Sequence, residues 1–396
     1  MIVLPPPRRL AATLALAGAA TLGAATVCAA ERAPEQITPV LLSVQAAPLP
    51  LSGSDGHTHL VYELWLNNAS SGDAVLEKLE VLDGERVLLV LEGAALAARL
   101  RPGPQGEPTA TLGRYVQNFA ALHISLPPGA AVPQHLTHRI SARALAAPPG
   151  QQQVVHEGGA VAVDAREVVL IGPPLQGGGY IAGDSCCDAV RHTRAALPVN
   201  GRIRVAQRFA VDWEQLDAQG RIYHGPPQAL GSYTIFGQPA LAVADARVVS
   251  VVDGLPEQTP GRYPSGIALD QADGNSVVLD LGGQRFALYA HLQPGSITVK
   301  AGERVRRGQV LGKVGNSGNS VAPHLHFHVM DGPLPVDANG LPYAIDSFWI
   351  TGHAASTAAF DAAEAQGTPL LVRAVEPPRQ ARNSLPMDLS IVRFDP

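Results

Sequence analysis

Apolar and polar positions alternate along most of this chain in short runs broken by glycine and proline. In HLVYELWLNN (59–68), Leu60, Tyr62, Leu64 and Leu66 recur at every second position, the period that places side chains on one face of a strand. KLEVLDGERVLLVLEG (78–93) reads as strand, Asp83-Gly84 turn, strand, because Asp-Gly supplies the positive φ that a tight hairpin needs. LHISLPPG (122–129) and HRISARAL (138–145) add two strands. Residues 148–200 are richer in turns, with APPGQQQ, IGPPLQGGG and GDSCCDAVRHTRAALPVNG. Strand patterns resume after Gly201, including a hairpin around Gly282-Gly283 in NSVVLDLGGQRFALYAHL (275–292) and glycine-punctuated strands over 297–318. Long helical periodicities are scarce, and the 40 glycines and 34 prolines suit a mainly β chain of short strands and turns.

The strands of residues 31–147 predict an immunoglobulin-like β-sandwich. Residues 148–200 read as a connector, 201–345 as a second β domain, and 346–396 as C-terminal strands packing on that domain. Residues 1–30 read as a signal peptide. Arg8 and Arg9 precede the apolar run LAATLALAGAATLGAATV, and small residues place cleavage after Ala29 or Ala30. The run is Ala/Gly-rich and lacks charge on its far side, which favours cleavage over a membrane anchor. Val27 before Cys28 argues against a lipoprotein. The expected location is therefore the periplasm or cell envelope, with no stable membrane span once the signal is removed. Cleavage removes two positive charges and takes the net charge from −5 to −7. No basic run survives, which excludes a nucleic-acid binder. Cys186 and Cys187 are adjacent, so they form either a pair of buried thiols or a vicinal disulfide rather than an ordinary bridge.

Candidate chemistry gathers near the end. PHLHFHV (323–329) alternates His324, His326 and His328 with Leu325, Phe327 and Val329. On a strand the histidines share one face and the apolar residues enter the core. Imidazoles two apart can converge on a metal ion or act as a catalytic pair. His57, His59, His135 and His138 are scattered among strand ends and read as surface or hydrogen-bonding groups. Glu214, Asp217 and Asp245 read as surface groups or turn caps, and Trp213 as core.

The ordered pieces RFAVDW, ALAVADARVVSV, ALYAHL, VRRGQVLGKVGNSGNS and PHLHFHV resemble the lysostaphin/LytM-type zinc metallopeptidases. The resemblance covers about a third of the chain and implies an antiparallel β domain that cleaves peptide cross-links of bacterial peptidoglycan. It implies Zn2+ held by an HxxxD element and the second histidine of HxH. Asp212 and His326 then match metal ligands, and His291 and His324 match the catalytic pair. One position departs: Arg208 stands where the family has its first ligand. Arginine carries a fixed positive charge and ligates no metal, so its exchange for histidine is expected to strengthen zinc binding. Either the site is rebuilt, with His328 as the replacement ligand or with His192 or His224 swinging in, or the metal site is lost. In the second case the domain resembles catalytically inactive LytM-type modules that bind or activate cell-wall hydrolases, with a cell-wall amidase as partner.

Overall fold

The computed structural model describes residues 37–395 except 101–105, 188–189 and 194. The expected signal peptide lies outside the described residues. The N-terminal part runs through β1 (Val40–Val44), β2 (Leu51–Ser52), β3 (Thr58–Asn68), β4 (Ala74–Asp83), β5 (Arg86–Glu92), α1 (Gly93–Arg99), β6 (Thr111–Leu112), β7 (Gln117–Leu126), β8 (His135–Ala144) and β9 (Gln153–Ala162). They form two sheets. One has the order β1-β3-β2 with β7 also on β3, and the other β5-β4-β8-β9 with β6 on β4. Leu60, Tyr62, Leu64 and Leu66 of β3 meet Leu76 and Leu79 of β4 and Ile140 of β8 in a shared core, as their alternation requires. The opposite side of β3 is buried as well. Val61 belongs to the core of the second, larger sheet, and Glu63 reaches across to Arg208.

That larger sheet draws on β10 (Val169–Ile171), β11 (Gly177–Gly183), α2 (Val190–Thr193) as an excursion, β12 (Ala196–Val199) and β13 (Arg202–Val205) as a separate hairpin, and β14 (Val211–Gln215). Then follow β15 (Pro239–Leu241), β16 (Ala246–Val252), β17 (Asn275–Gly282), β18 (Arg285–Leu292), β19 (Arg304–Val305), β20 (Val310–Lys313), β21 (Leu325–Met330), β22 (Gly340–Leu341), β23 (Tyr343–Ala354), α3 (Thr357–Gln366), β24 (Val372–Ser384) and β25 (Ser390–Phe394). The order is β10-β23-β25-β11-β14-β21-β18-β17-β16-β19, with β22 on β21 and β24 on β23. Of its pairings, β10 with β23 is parallel.

Residues 148–200, read as a connector, supply β9 to the N-terminal sheets and β10 and β11 to the large one. The strands after residue 346 do more than pack on the second domain. β25 lies between β23 and β11 and is hydrogen-bonded to both. A C-terminal strand thus flanks β11, which in turn pairs with β14, the strand that carries Asp212. Thr38–Pro396 is one compact unit. No helix among the described residues is long and apolar enough to cross a membrane.

Candidate active site

The candidate site forms where β14, β21 and β18 run side by side. Asp212 on β14 lies directly opposite His326 on β21, and Ala290 on β18 opposes His326 from the other side. Leu325, Phe327 and Val329 enter the large core, which leaves His326 and His328 on the other face by the two-residue period. His324 comes just before the strand begins. His291 follows Ala290 with φ +61°, a left-handed conformation uncommon for a residue with a Cβ. Its backbone N–H donates to the Asp273 carbonyl at 2.9 Å.

These elements bring Asp212, His291, His324 and His326 together. His326 Nδ1 is 2.8 Å from Asp212 Oδ1, and His324 Nε2 is 3.5 Å from the same oxygen. The rings of His291 and His324 have centroids 4.8 Å apart, and those of His291 and His326 5.8 Å apart. His291 Nδ1 donates to the Ser317 carbonyl at 2.8 Å, and His324 Nδ1 to the Ala322 carbonyl at 2.8 Å. Carbonyl oxygens only accept, so in each neutral ring the proton sits on Nδ1 and the lone pair on Nε2. Burial, reinforced by His324 and His326, holds His291 well below the usual histidine range. Burial likewise lowers His326, against the pull of Asp212. For Asp212, burial favours the neutral acid. The adjacent His192 and His324, with hydrogen bonds from His192 and His326, override it and hold the carboxylate well below its ordinary value.

The fifth participant is His192 on α2. Its Nε2 lies 3.3 Å from Asp212 Oδ2, and its ring meets that of His326 edge-on at 5.1 Å. Burial opposes its charge, yet Asp212 and Asp184 lift it to about 9. Among the described residues, His192, Asp212 and His326 place one donor atom each within 4.8 Å of one another, as do His291, His324 and His326. In sequence His192 stood only as one of two neighbours able to swing in, since nothing in AVRHTRAAL is spaced from Asp212 in a known motif. The other, His224, is exposed.

Two expectations change. Arg208 does not face the site. Its Nε donates to Glu63 Oε1 at 2.8 Å, its Nη2 to Glu63 Oε2 at 2.6 Å, and its Nη1 to the Gly340 carbonyl at 3.1 Å. With the guanidinium committed there, its charge gives no ground for expecting Arg208→His to strengthen zinc binding. His328, one possible replacement ligand, instead sits behind His326 in a hydrogen-bonded role. Its Nδ1 is 3.0 Å from His326 Nε2, on the far side of that ring from Asp212. His328 Nε2 is buried without a hydrogen-bond partner. His328 and His291 line a cleft of about 490 Å³ together with Gln207, Asp273 and Asn319.

Other singled-out residues fall outside this cluster. Trp213 is core. Asp217 accepts from the backbone of Gln219 and Arg221 in a turn, and Asp245 from that of Arg307. Glu214 differs from its surface reading. It is buried, and burial together with Glu364 and Asp212 raises it well above the ordinary glutamate value. Cys186 and Cys187 are buried and joined to each other in a vicinal disulfide. His59 is buried between His123 at 2.8 Å and Asp55 at 3.1 Å, and His138 is buried against the Tyr62 hydroxyl at 2.8 Å.

Residues 233–338 match the family model described as Peptidase family M23. The matched segment contains His291, His324, His326 and His328 but begins after Arg208 and Asp212. The chain is 42% identical over 65 residues to the peptidoglycan DD-endopeptidase ShyA of Vibrio cholerae serotype O1, and 40% identical over 65 residues to ShyB of the same organism. Each alignment covers 16% of this chain, which thus spans about 15% of the length of these curated relatives. Among solved structures, the catalytic domain of lysostaphin from Staphylococcus simulans matches at 23% identity and a TM-score of 0.21, covering 38% of this chain and 77% of that one. Helicobacter pylori Csd3 matches at 15% identity and a TM-score of 0.24, covering 75% and 68%. At such scores these two likenesses carry no argument.

Proposed function

We propose, on the match of residues 233–338 to Peptidase family M23, that this protein is an exported zinc metalloendopeptidase acting on the peptide cross-links of bacterial peptidoglycan. The carrying observation is the cross-strand pair Asp212–His326 at 2.8 Å, flanked by His291 and His324. The donor set fits zinc, which favours imidazole nitrogen and carboxylate oxygen and, in catalytic sites, leaves one position open. Asp212 and His326 would hold it. When bound, zinc polarises a scissile carbonyl and brings a water's pKa towards neutrality.

The chain's own residues would supply the rest. His291 and His324, fixed by the Ser317 and Ala322 carbonyls, each present an unprotonated Nε2 that can take a proton from the attacking water and return it to the leaving amine. Their anchoring limits the reorientation that each proton transfer requires. The cleft beside His291 and His328 has room for an extended peptide stem. The DD-endopeptidase relatives support a peptidoglycan substrate, and the leader-like residues 1–30 support export.

The inactive, amidase-binding reading rested on Arg208 in the motif position. With its guanidinium engaged by Glu63, that residue places no fixed charge at the site, although it supplies no donor atom to it either. The test is incubation of the purified protein with peptidoglycan sacculi, reading the cross-linked and uncrosslinked peptides released. Cleavage should vanish in Asp212→Ala and His326→Ala. Equal cleavage by His326→Ala and wild type would sink the assignment.

A further inference from the structure

We propose that His192 is the third protein ligand of the metal site, taking the place that the family motif gives to the residue Arg208 now fills. The inference rests on the zinc-site reading above and goes beyond it in assigning a ligand from outside the motif.

Three observations carry it. First, His192 Nε2 lies 3.3 Å from Asp212 Oδ2 while His326 Nδ1 lies 2.8 Å from Oδ1. The carboxylate is thus bracketed by two imidazole nitrogens, all within the span one cation can bridge. Secondly, the far nitrogen of His192 is pinned. Its Nδ1 faces the carbonyls of Asp184 at 2.9 Å and Ala210 at 3.2 Å. A carbonyl behind one ring nitrogen fixes the proton there and leaves the other nitrogen free to bind, the arrangement found behind metal-bound histidines. Ala210 lies two residues before Asp212, and Gly183, next to Asp184, pairs with Asp212 across β11 and β14. The backbone that orients His192 is therefore the same backbone that positions Asp212. Thirdly, His192 is buried at 6% exposure, and its helix is tied down by Arg191, which bonds Asp184 and Asp361 at 2.9 Å each.

The alternatives fit less well. His328 contacts the far nitrogen of His326 and would have to pass that ring to reach Asp212. Arg208 is held by Glu63 and Gly340. With His192 the donor set becomes two imidazoles and one carboxylate, which leaves a fourth position towards His291 and His324, as a hydrolytic zinc site requires.

The experiment uses the full chain and zinc alone, with affinity read by competition against a chromogenic chelator and folding checked by circular dichroism. Losing a partner that merely orients a ligand costs roughly 10–100-fold in affinity, so His328→Ala should fall in that range. His192→Ala should lose more than about 100-fold, comparable to His326→Ala. His192→Cys guards against a folding artefact. Loaded with cobalt(II), it should gain a sulfur-to-metal charge-transfer band absent from the wild type, which a structural role would not produce. If His192→Ala keeps zinc within about tenfold of wild type while His326→Ala loses it, or if His192→Cys shows no such band, His192 is not a ligand and the site reading survives. If wild type and His326→Ala bind zinc alike, the site reading itself fails.

Discussion

Replacing Arg208 by methionine removes a guanidinium that is 7% exposed and bonded through two nitrogens to Glu63, itself 3% exposed. The change leaves the Glu63 carboxylate in the interior on β3 and frees the Gly340 carbonyl of its 3.1 Å bond. Breaking a buried ion pair on one side costs about 3–5 kcal/mol, because the remaining charge stays desolvated, whereas replacing both partners with apolar residues is often neutral or stabilising by about 1–4 kcal/mol. Arg208→Met should therefore destabilise by about 3–5 kcal/mol. Adding Glu63→Leu should recover most of that loss, so that in a double-mutant cycle the double variant is more stable than either single variant. Urea unfolding of the four proteins measures it. The guanidinium faces away from Asp212, so zinc affinity should stay within a few-fold in every folded variant, Arg208→His included. A cost below about 1 kcal/mol for Arg208→Met, or a double variant as unstable as the single, would refute the clamp. A tenfold gain in zinc affinity for Arg208→His would refute its orientation.

His291→Ala and His324→Ala should each retain stoichiometric zinc by elemental analysis and lose sacculus cleavage by at least about 100-fold; loss of zinc in either would move that residue into the ligand set. His138, which burial lowers to about 4 from the ordinary 6.5, binds its proton more readily unfolded than folded. The stability it contributes is full above pH 6.5 and is lost as pH falls from there to about 4, by roughly 3 kcal/mol at most. His138→Gln should flatten that part of the urea midpoint–pH curve, leaving the slope of the same sign that His123, also lowered to about 4, contributes; an unchanged curve would contradict the burial argument. Gly318 has φ +77°, and a Cβ there would run into the Gly274 backbone. Gly318→Ala should displace the Ser317 carbonyl from His291, lowering turnover more than zinc affinity, and wild-type turnover would show that this anchor is unnecessary.

Much of the site could be read from the sequence because strand chemistry repeats every two residues. PHLHFHV sorted itself into a core face and a histidine face, and β21 keeps that sorting. The hairpin before His291 and the glycines of the 315–318 turn were visible for the same reason, since positive φ and close backbone approach leave a residue-type trace. Other features leave none. His328 read as a solvent-facing, hydrogen-bonded or ligand histidine, and of these the structure shows the hydrogen-bonded one: its face of β21 is covered and it is 1% exposed. Glu63 looked like one polar position among others in an alternating strand. Its role depends on β3 being buried on both sides, which is decided by a segment about 145 residues away. The C-terminal strands read only as packing elements because the pairing of β25 between β11 and β23 is set by topology. Periodicity does not report it.

The substitution at Arg208 has a physical reading that its position in the motif hides. A metal site constrains where donor atoms sit and says nothing about which segment delivers them. Asp212 and His326 are fixed by direct cross-strand pairing, so the third corner can be approached by any chain that passes Asp212 on its open side. β11 does so, since Gly183 pairs with Asp212, and α2 follows a few residues later with His192. Once a histidine arrives by that route, position 208 is released from ligation. An arginine there can reach the opposite way and join the large sheet to β3 through Glu63. On this account the two changes are coupled: an arginine at 208 is tolerable only where His192 serves the site. The variant His192→Ala/Arg208→His tests the coupling directly. If it recovers a substantial part of the zinc affinity that His192→Ala loses, position 208 can still reach the metal and the two residues are interchangeable sources of one ligand. If it recovers none, the backbone at 208 has been committed to the Glu63 side, and the relocation cannot be reversed by side-chain exchange alone.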